Sequence, residues 1–150
     1  MCARAIFPSS VAPVCTWQRT YPGRDDQPQV MRADLAGVLA HRPQADMIIF
    51  LVNELATNAI RHSGSRMTGT FTVRVHDTPG DHVRAEVEDQ GSAWNADLHA
   101  SPPRHGLWFL RTMADDFGAG AGQDGWIVWF RIDDPAAPDG AGGTTPAKGA

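Results

Sequence analysis

The sequence predicts an α+β fold, a two-layer sandwich in which a mostly antiparallel sheet carries helices on one face. Three observations predict it. Apolar residues recur at helical spacing from about Met31 to His62, and they alternate with polar ones from Thr70 to Asp89. A further helical pattern then precedes a closing apolar run, "WIVWFRI", from Trp126 to Ile132.

The N-terminal "MCARAIFPSSVAPVC" is apolar, but Pro8, Ser9, Ser10 and Pro13 interrupt it, so no continuous signal-peptide core forms. Residues 1–18 are expected to be a flexible arm. "TYPGRDDQPQ" (Thr20 to Gln29) is turn chemistry, and Met31, Leu35, Val38 and Leu39 then fall on one side of a helix that Pro43 breaks. A second helix is expected from Asp46, as N-cap, to His62, where "HSGS" stops it. Its broad apolar face is Ile48, Leu51, Val52, Leu55 and Ala59.

Phe71, Val73 and Val75 alternate with Thr72, Arg74 and His76, "DTPGD" turns the chain, and Val83, Ala85 and Val87 alternate with Arg84, Glu86 and Glu88. That is a hairpin with one buried face. The polar loop "GSAWNADLHASPPRH" leads to a third helix near Gly106 to Asp116. "GAGAG" (Gly118 to Gly122) reads as a turn; it lacks a lysine and precedes a strand, which excludes a phosphate loop. Trp126 and Trp129 fall on opposite faces of the last strand, so one face is expected to be covered by a partner or by the N-terminal arm. From Asp133 the tail has almost no large apolar residue and is expected to be disordered. The ordered domain is thus expected over residues 19–132.

A formal net charge of −4 argues against a general nucleic-acid binder. The longest apolar run, Met47 to Val52, is far short of a membrane span. Cys2 and Cys15 match no metal or redox spacing, and a cytoplasmic location is the default expectation. His76 and His82 flank the hairpin turn and invite a zinc reading, though no Cys/His cluster accompanies them.

Three groups of residues are poorly explained by packing. Glu54, Asn58 and His62 stand at i, i+4 and i+8, one stripe bordering the apolar face of the second helix. Such a stripe either faces solvent or lines a pocket, where an amide oxygen can ligate Mg²⁺ and a carboxylate can act as a general base. Asp89 continues the buried parity of Val83, Ala85 and Val87 and precedes Gln90 and Gly91. It either caps the turn or accepts a hydrogen bond from a planar ligand such as adenine. Arg104 and His105 precede a helix start at Gly106, which is either an anion site or an ordinary junction.

In this order the pieces resemble the nucleotide site of the GHKL (histidine-kinase-like) ATPases, and most nearly the anti-sigma-factor serine kinases among bacterial regulators. "NELATNAIRH" is similar to the family's first box, "VEDQGSAW" to its second, "RHGLWFLRTMADDFG" to its third, and "WIVWFRI" to its last strand. The resemblance covers roughly Thr20 to Ile132. It implies a Bergerat-type ATP-binding fold, with ATP and Mg²⁺ as cofactors. It makes Glu54 the candidate catalytic base, Asn58 the Mg²⁺ ligand and Asp89 the partner of the adenine amino group. Gly91 would shape that pocket, and Arg104, His105, Gly106 and Leu107 would lie at the phosphate end. Ala93 and Arg104 stand where the family has glycines, so Arg104 would either reach a phosphate or hinder binding.

The resemblance implies a serine/threonine kinase that passes the γ-phosphoryl of ATP to a serine of an anti-sigma-factor antagonist, with a sigma factor as a second protein partner. Relatives of this kind commonly act as homodimers. The alternatives are a non-catalytic, nucleotide-gated protein-binding module and an interaction domain whose site has decayed. No direct nucleic-acid or membrane contact is expected.

Overall fold

A computed structural model describes residues 16–62, 69–90, 107–123 and 125–135. The elements run β1 (Trp17–Pro22), α1 (Gln27–Val38), α2 (Ala45–His62), β2 (Thr70–Thr78), β3 (His82–Asp89), α3 (Leu107–Met113), β4 (Asp116–Ala121) and β5 (Trp126–Asp133). The strands form one five-stranded sheet in the order β1-β2-β3-β5-β4, every neighbouring pair antiparallel. The helices pack on one face, so the α+β two-layer expectation holds.

Helix α1 opens with Pro28 in its first turn, where a missing N–H costs nothing. It buries Met31 and Leu35, with Leu39 buried at its C-cap. Helix α2 starts one residue earlier than expected, so Asp46 lies inside the first turn rather than capping it. A carboxylate there still meets the positive end of the helix dipole. The face of α2 that carries Ile48, Leu51, Val52, Leu55, Ala56, Ala59 and Ile60 is at most 3% exposed. Each fully buried Leu or Ile of this face stabilises the fold by about 1.5–3 kcal/mol.

The sheet meets this face with Phe71, Val73 and Val75 of β2, Val83, Ala85 and Val87 of β3, and Val128, Phe130 and Ile132 of β5. The β2–β3 hairpin turns over Pro79, Gly80 and Asp81, with Gly80 at φ +82°, a left-handed conformation that only glycine adopts without strain. His76 stands opposite Arg84, and His82 opposite Thr78, so the two histidines are not a cross-strand pair.

Two strands differ from the sequence expectation. Trp17 and Gln18, expected in the arm, and Thr20 to Pro22, expected in a turn, form β1 along the edge of β2. Tyr21 holds the strand down: it is 1% exposed, stacks on Phe71 with centroids 5.4 Å apart, and donates its hydroxyl to Asp34 of α1 at 2.6 Å. The second is β4, which contains most of the "GAGAG" run read as a turn. Gly118 pairs with Trp129, and a Cβ on it would come within 2.8 Å of the indole ring. The glycine is there because an aromatic ring lies where its side chain would be.

The α1–α2 connection is pinned to the sheet by charge. Arg42 is 7% exposed and forms ion pairs with both Asp77, at the end of β2, and Asp134, just past β5. His41 adds a 2.7 Å contact to Asp77. Burial pushes the Asp77 carboxyl up, but hydrogen bonds from Arg42 and His41 outweigh it and hold the group below the usual carboxylate range. This clamp fixes where α2 begins over the sheet.

Candidate functional site

Gln44, just before α2, donates to the Asp133 carbonyl at the end of β5, and the 18 residues of α2 run from there over the sheet toward the start of β2. At that end the antiparallel register places Phe71 beside Asp89, and Asp89 beside Trp126. All three side chains point toward the helices, since they share the parity of the core residues Val73, Val87 and Val128. Asn58, one turn before the end of α2, therefore sits above the same end of the sheet as Asp89.

Asn58 is 3% exposed, and its Nδ2 has no hydrogen-bond partner among the described residues. Leaving a buried amide donor unsatisfied costs about 1–3 kcal/mol, so apolar packing alone does not explain this residue. Glu54, one turn earlier on the stripe, is only partly buried. The stripe thus runs from the solvent edge at Glu54 into the interior at Asn58, rather than lying wholly in water. Asp89 is 4% exposed at the end of β3, a carboxylate on the core side of a sheet. The indole Nε1 of Trp126 beside it is buried without a partner among the described residues. Hard oxygen donors such as the Asn58 amide and the Glu54 carboxylate suit Mg²⁺.

Leu107 opens α3, which packs on α2 through an edge-to-face contact of Phe109 with Phe50 at 4.8 Å. Gly91, Arg104, His105 and Gly106, and the departures Ala93 and Arg104, lie outside the described residues. Among the described residues Asn58 and Asp89 are both buried, and Glu54 is only partly buried.

Asn53, the other amide of "NELATNAIRH", does something different. It accepts a hydrogen bond from Arg32 of α1 at 2.8 Å, which ties the two helices together. Asp25, Pro28, Arg32, Asn53, Thr57, Ile60 and Arg61 line a cleft of about 560 Å³ beside α1 and α2. Sequence reading assigned these residues no role. The cleft exists only through the packing of α1 on α2, and no spacing within either helix encodes it. It lies on the flank of α2 away from Asn58.

A five-stranded antiparallel sheet with a polar-edged helix above it makes this molecule an α+β domain of the two-layer class. The chain belongs to the histidine kinase-like ATPase domain family, whose profile matches residues 26–132, and membership in it implies ATP binding. The matched stretch contains every candidate residue above and begins after β1. No curated protein matched the chain. Among the described residues no helix is long and apolar enough to cross a membrane.

Proposed function

We propose that the protein is an ATP-dependent serine/threonine kinase of the anti-sigma-factor type, acting on a serine of an antagonist protein. The observation that carries the reading is Asn58, a buried amide whose nitrogen has no partner among the described residues, on the same helical stripe as Glu54 and toward the same end of the sheet as Asp89. A helix that served only to pack would hold an apolar residue there.

In this reading the Asp89 carboxylate accepts a hydrogen bond from the adenine amino group, which fixes the base, and Gly91 leaves room for it. Asn58 turns its amide oxygen to Mg²⁺, which neutralises phosphate charge when bound. Arg104, His105 and the start of α3 at Gly106 and Leu107 hold the phosphates. Glu54, at the solvent rim, is where a protein substrate can reach. The serine oxygen forms its bond to the γ-phosphorus as the bond to ADP breaks, and the hydroxyl proton passes to the Glu54 carboxylate. Such a transfer rests mainly on positioning and charge neutralisation, which a domain of this size can supply.

Glu54→Gln tests this. The variant is expected to bind ATP as the parent does and to form no phosphoprotein with a cognate antagonist. Equal transfer by the variant would remove Glu54 from the mechanism. A second reading is favoured by Ala93 and Arg104, which add side chains where the resembled family has glycines. In that reading nucleotide gates partner docking without chemistry, and binding to the antagonist depends on ATP while no phosphoserine appears.

A further inference from the structure

The cleft beside α1 and α2 has no part in the site proposed for the nucleotide. On α2 it is lined by Asn53, Thr57 and Arg61, spaced i, i+4 and i+8, with Ile60 beside them. Each member of this stripe stands one residue before Glu54, Asn58 and His62, so the two stripes lie about 100° apart around the helix. Pro28 and Arg32 come from α1, and Asp25 from the turn before it. Pro28 and Ile60 are buried and make the apolar part of the lining, whereas Asp25, Arg32 and Arg61 are exposed.

The polar groups of the cleft are mostly hydrogen-bond donors. Arg32 donates to the Asn53 Oδ1 at 2.8 Å, and with that oxygen engaged the amide has its Nδ2 donors to offer. Among the described residues neither Arg32 nor Arg61 pairs with a carboxylate, and Asp25, the one carboxylate of the lining, forms an ion pair with neither. Two guanidinium charges thus face one carboxylate, in a chain whose formal net charge is −4. A guanidinium held by a neutral amide is fixed in place and keeps its charge. Its remaining N–H groups suit a carboxylate bound through two parallel hydrogen bonds.

The lining also decides what kind of anion suits it. Sites for small molecules enclose most of the ligand within a mainly apolar wall, whereas the cations here stand in solvent. Nucleic acid needs a basic stripe or patch, which two arginines in an acidic chain do not supply. Exposed charges around a small buried apolar contact are the arrangement of a protein interface. A polypeptide segment with carboxylate side chains meets both parts, its acids on Arg32 and Arg61 and its apolar atoms on Pro28 and Ile60.

We propose that this cleft docks an acidic, extended segment of a partner protein, with the segment's carboxylates held by Arg32 and Arg61. The cleft borders Glu54. Asn53 directly precedes that residue, and Arg61, seven residues after it, lies within roughly 20° of it around the helix and about 10 Å along the axis. A segment in the cleft therefore passes close to the candidate catalytic carboxylate. On the kinase reading the segment belongs to the protein that supplies the serine, and this assignment alone rests on that reading. Recognition of the carboxylates requires neither nucleotide nor phosphoryl transfer.

The test is the fluorescence anisotropy of a fluorescein-labelled hexaglutamate peptide titrated with the full-length chain at low ionic strength and without nucleotide. Labelled hexaglutamine is the uncharged control. Neither peptide contains a serine, so the outcome is separate from that of the Glu54→Gln transfer assay. Hexaglutamate is expected to bind saturably and hexaglutamine not to bind. Arg61→Glu and Arg32→Glu are each expected to weaken hexaglutamate binding about ten-fold or more, as the loss of a charge-assisted contact requires. The far-ultraviolet dichroism of Arg61→Glu is expected to match the parent, since Arg61 has no partner among the described residues. Arg111→Glu makes the same charge change on α3, outside the cleft, and is expected to bind as the parent does. Failure of the unaltered chain to bind hexaglutamate overturns the proposal, as does equal affinity for hexaglutamine or equal weakening by Arg111→Glu and Arg61→Glu. Displacement of the peptide by free glutamate at the same carboxylate concentration overturns it in favour of a small anion.

Discussion

Asn58 illustrates what a single side chain contributes and what it costs. Its Nδ2 is buried without a partner among the described residues, a loss of about 1–3 kcal/mol in the ligand-free protein. Asn58→Leu, close in size and apolar, is therefore expected to raise the thermal midpoint of the ligand-free protein while abolishing Mg²⁺-dependent ATP binding. Calorimetric scanning with and without Mg–ATP checks both. A destabilised variant would show that the amide is satisfied by the fold and has no need of a ligand. At this scale much was legible in the sequence. Asn58 and Asp89 stand out because an amide and a carboxylate occupy positions whose periodicity points inward. Asn53 was not legible, because its use depends on Arg32 arriving from another helix.

Between elements, the clamp around Arg42 decides how α1 and α2 sit on the sheet. Removing one partner of a buried pair leaves an uncompensated charge, so Arg42→Ala is expected to cost about 3–5 kcal/mol in chemical denaturation. The clamp also carries a pH dependence of definite sign. Asp77 has a folded pKa below its unfolded one, so its contribution is complete above roughly pH 5 and is lost as pH falls through the carboxylate range. Denaturation midpoints at pH 7 and at pH 3.5 should differ less in Asp77→Asn than in the parent. Strand β4 shows why an element can be missed. Alternating glycine and alanine has no strand propensity, and Gly118 is compatible with a strand only because the Trp129 ring fills its place. Gly118→Val forces that ring aside and is expected to cost about 1–3 kcal/mol, read as a lower melting temperature. Strand β1 was hidden for a related reason, since its anchor, Tyr21, gains its value from Phe71 and Asp34 across the fold.

For the molecule as a whole, helix and hairpin periodicity was enough to give the layered architecture, because most of the core follows repeats of 3.6 and 2. What periodicity could not give was the burial of the second sheet face, where charged residues alternate as solvent-facing ones do and yet are covered. The same two-layer design ties nucleotide to global stability. Asn58 belongs to α2, Asp89 to β3, and the start of α3 packs on α2, so a ligand that bridges them bridges both layers. A ligand that binds only the folded state adds RT ln(1 + [L]/Kd), about 2.7 kcal/mol at a hundred times Kd. For a domain of this length each kcal/mol raises the melting temperature by roughly 2–8 °C. The full-length protein is therefore expected to melt several degrees higher with Mg–ATP, and less so with ATP and a chelator. Asp89→Asn is expected to lose the shift, because an amide that presents N–H to the adenine amino group opposes donor with donor. If Asp89→Asn kept the full Mg–ATP shift, the base would be held elsewhere. The buried carboxylate at the end of β3 would then be a structural feature of the strand end, with Asn58 left as the one residue of the pair that answers to nucleotide.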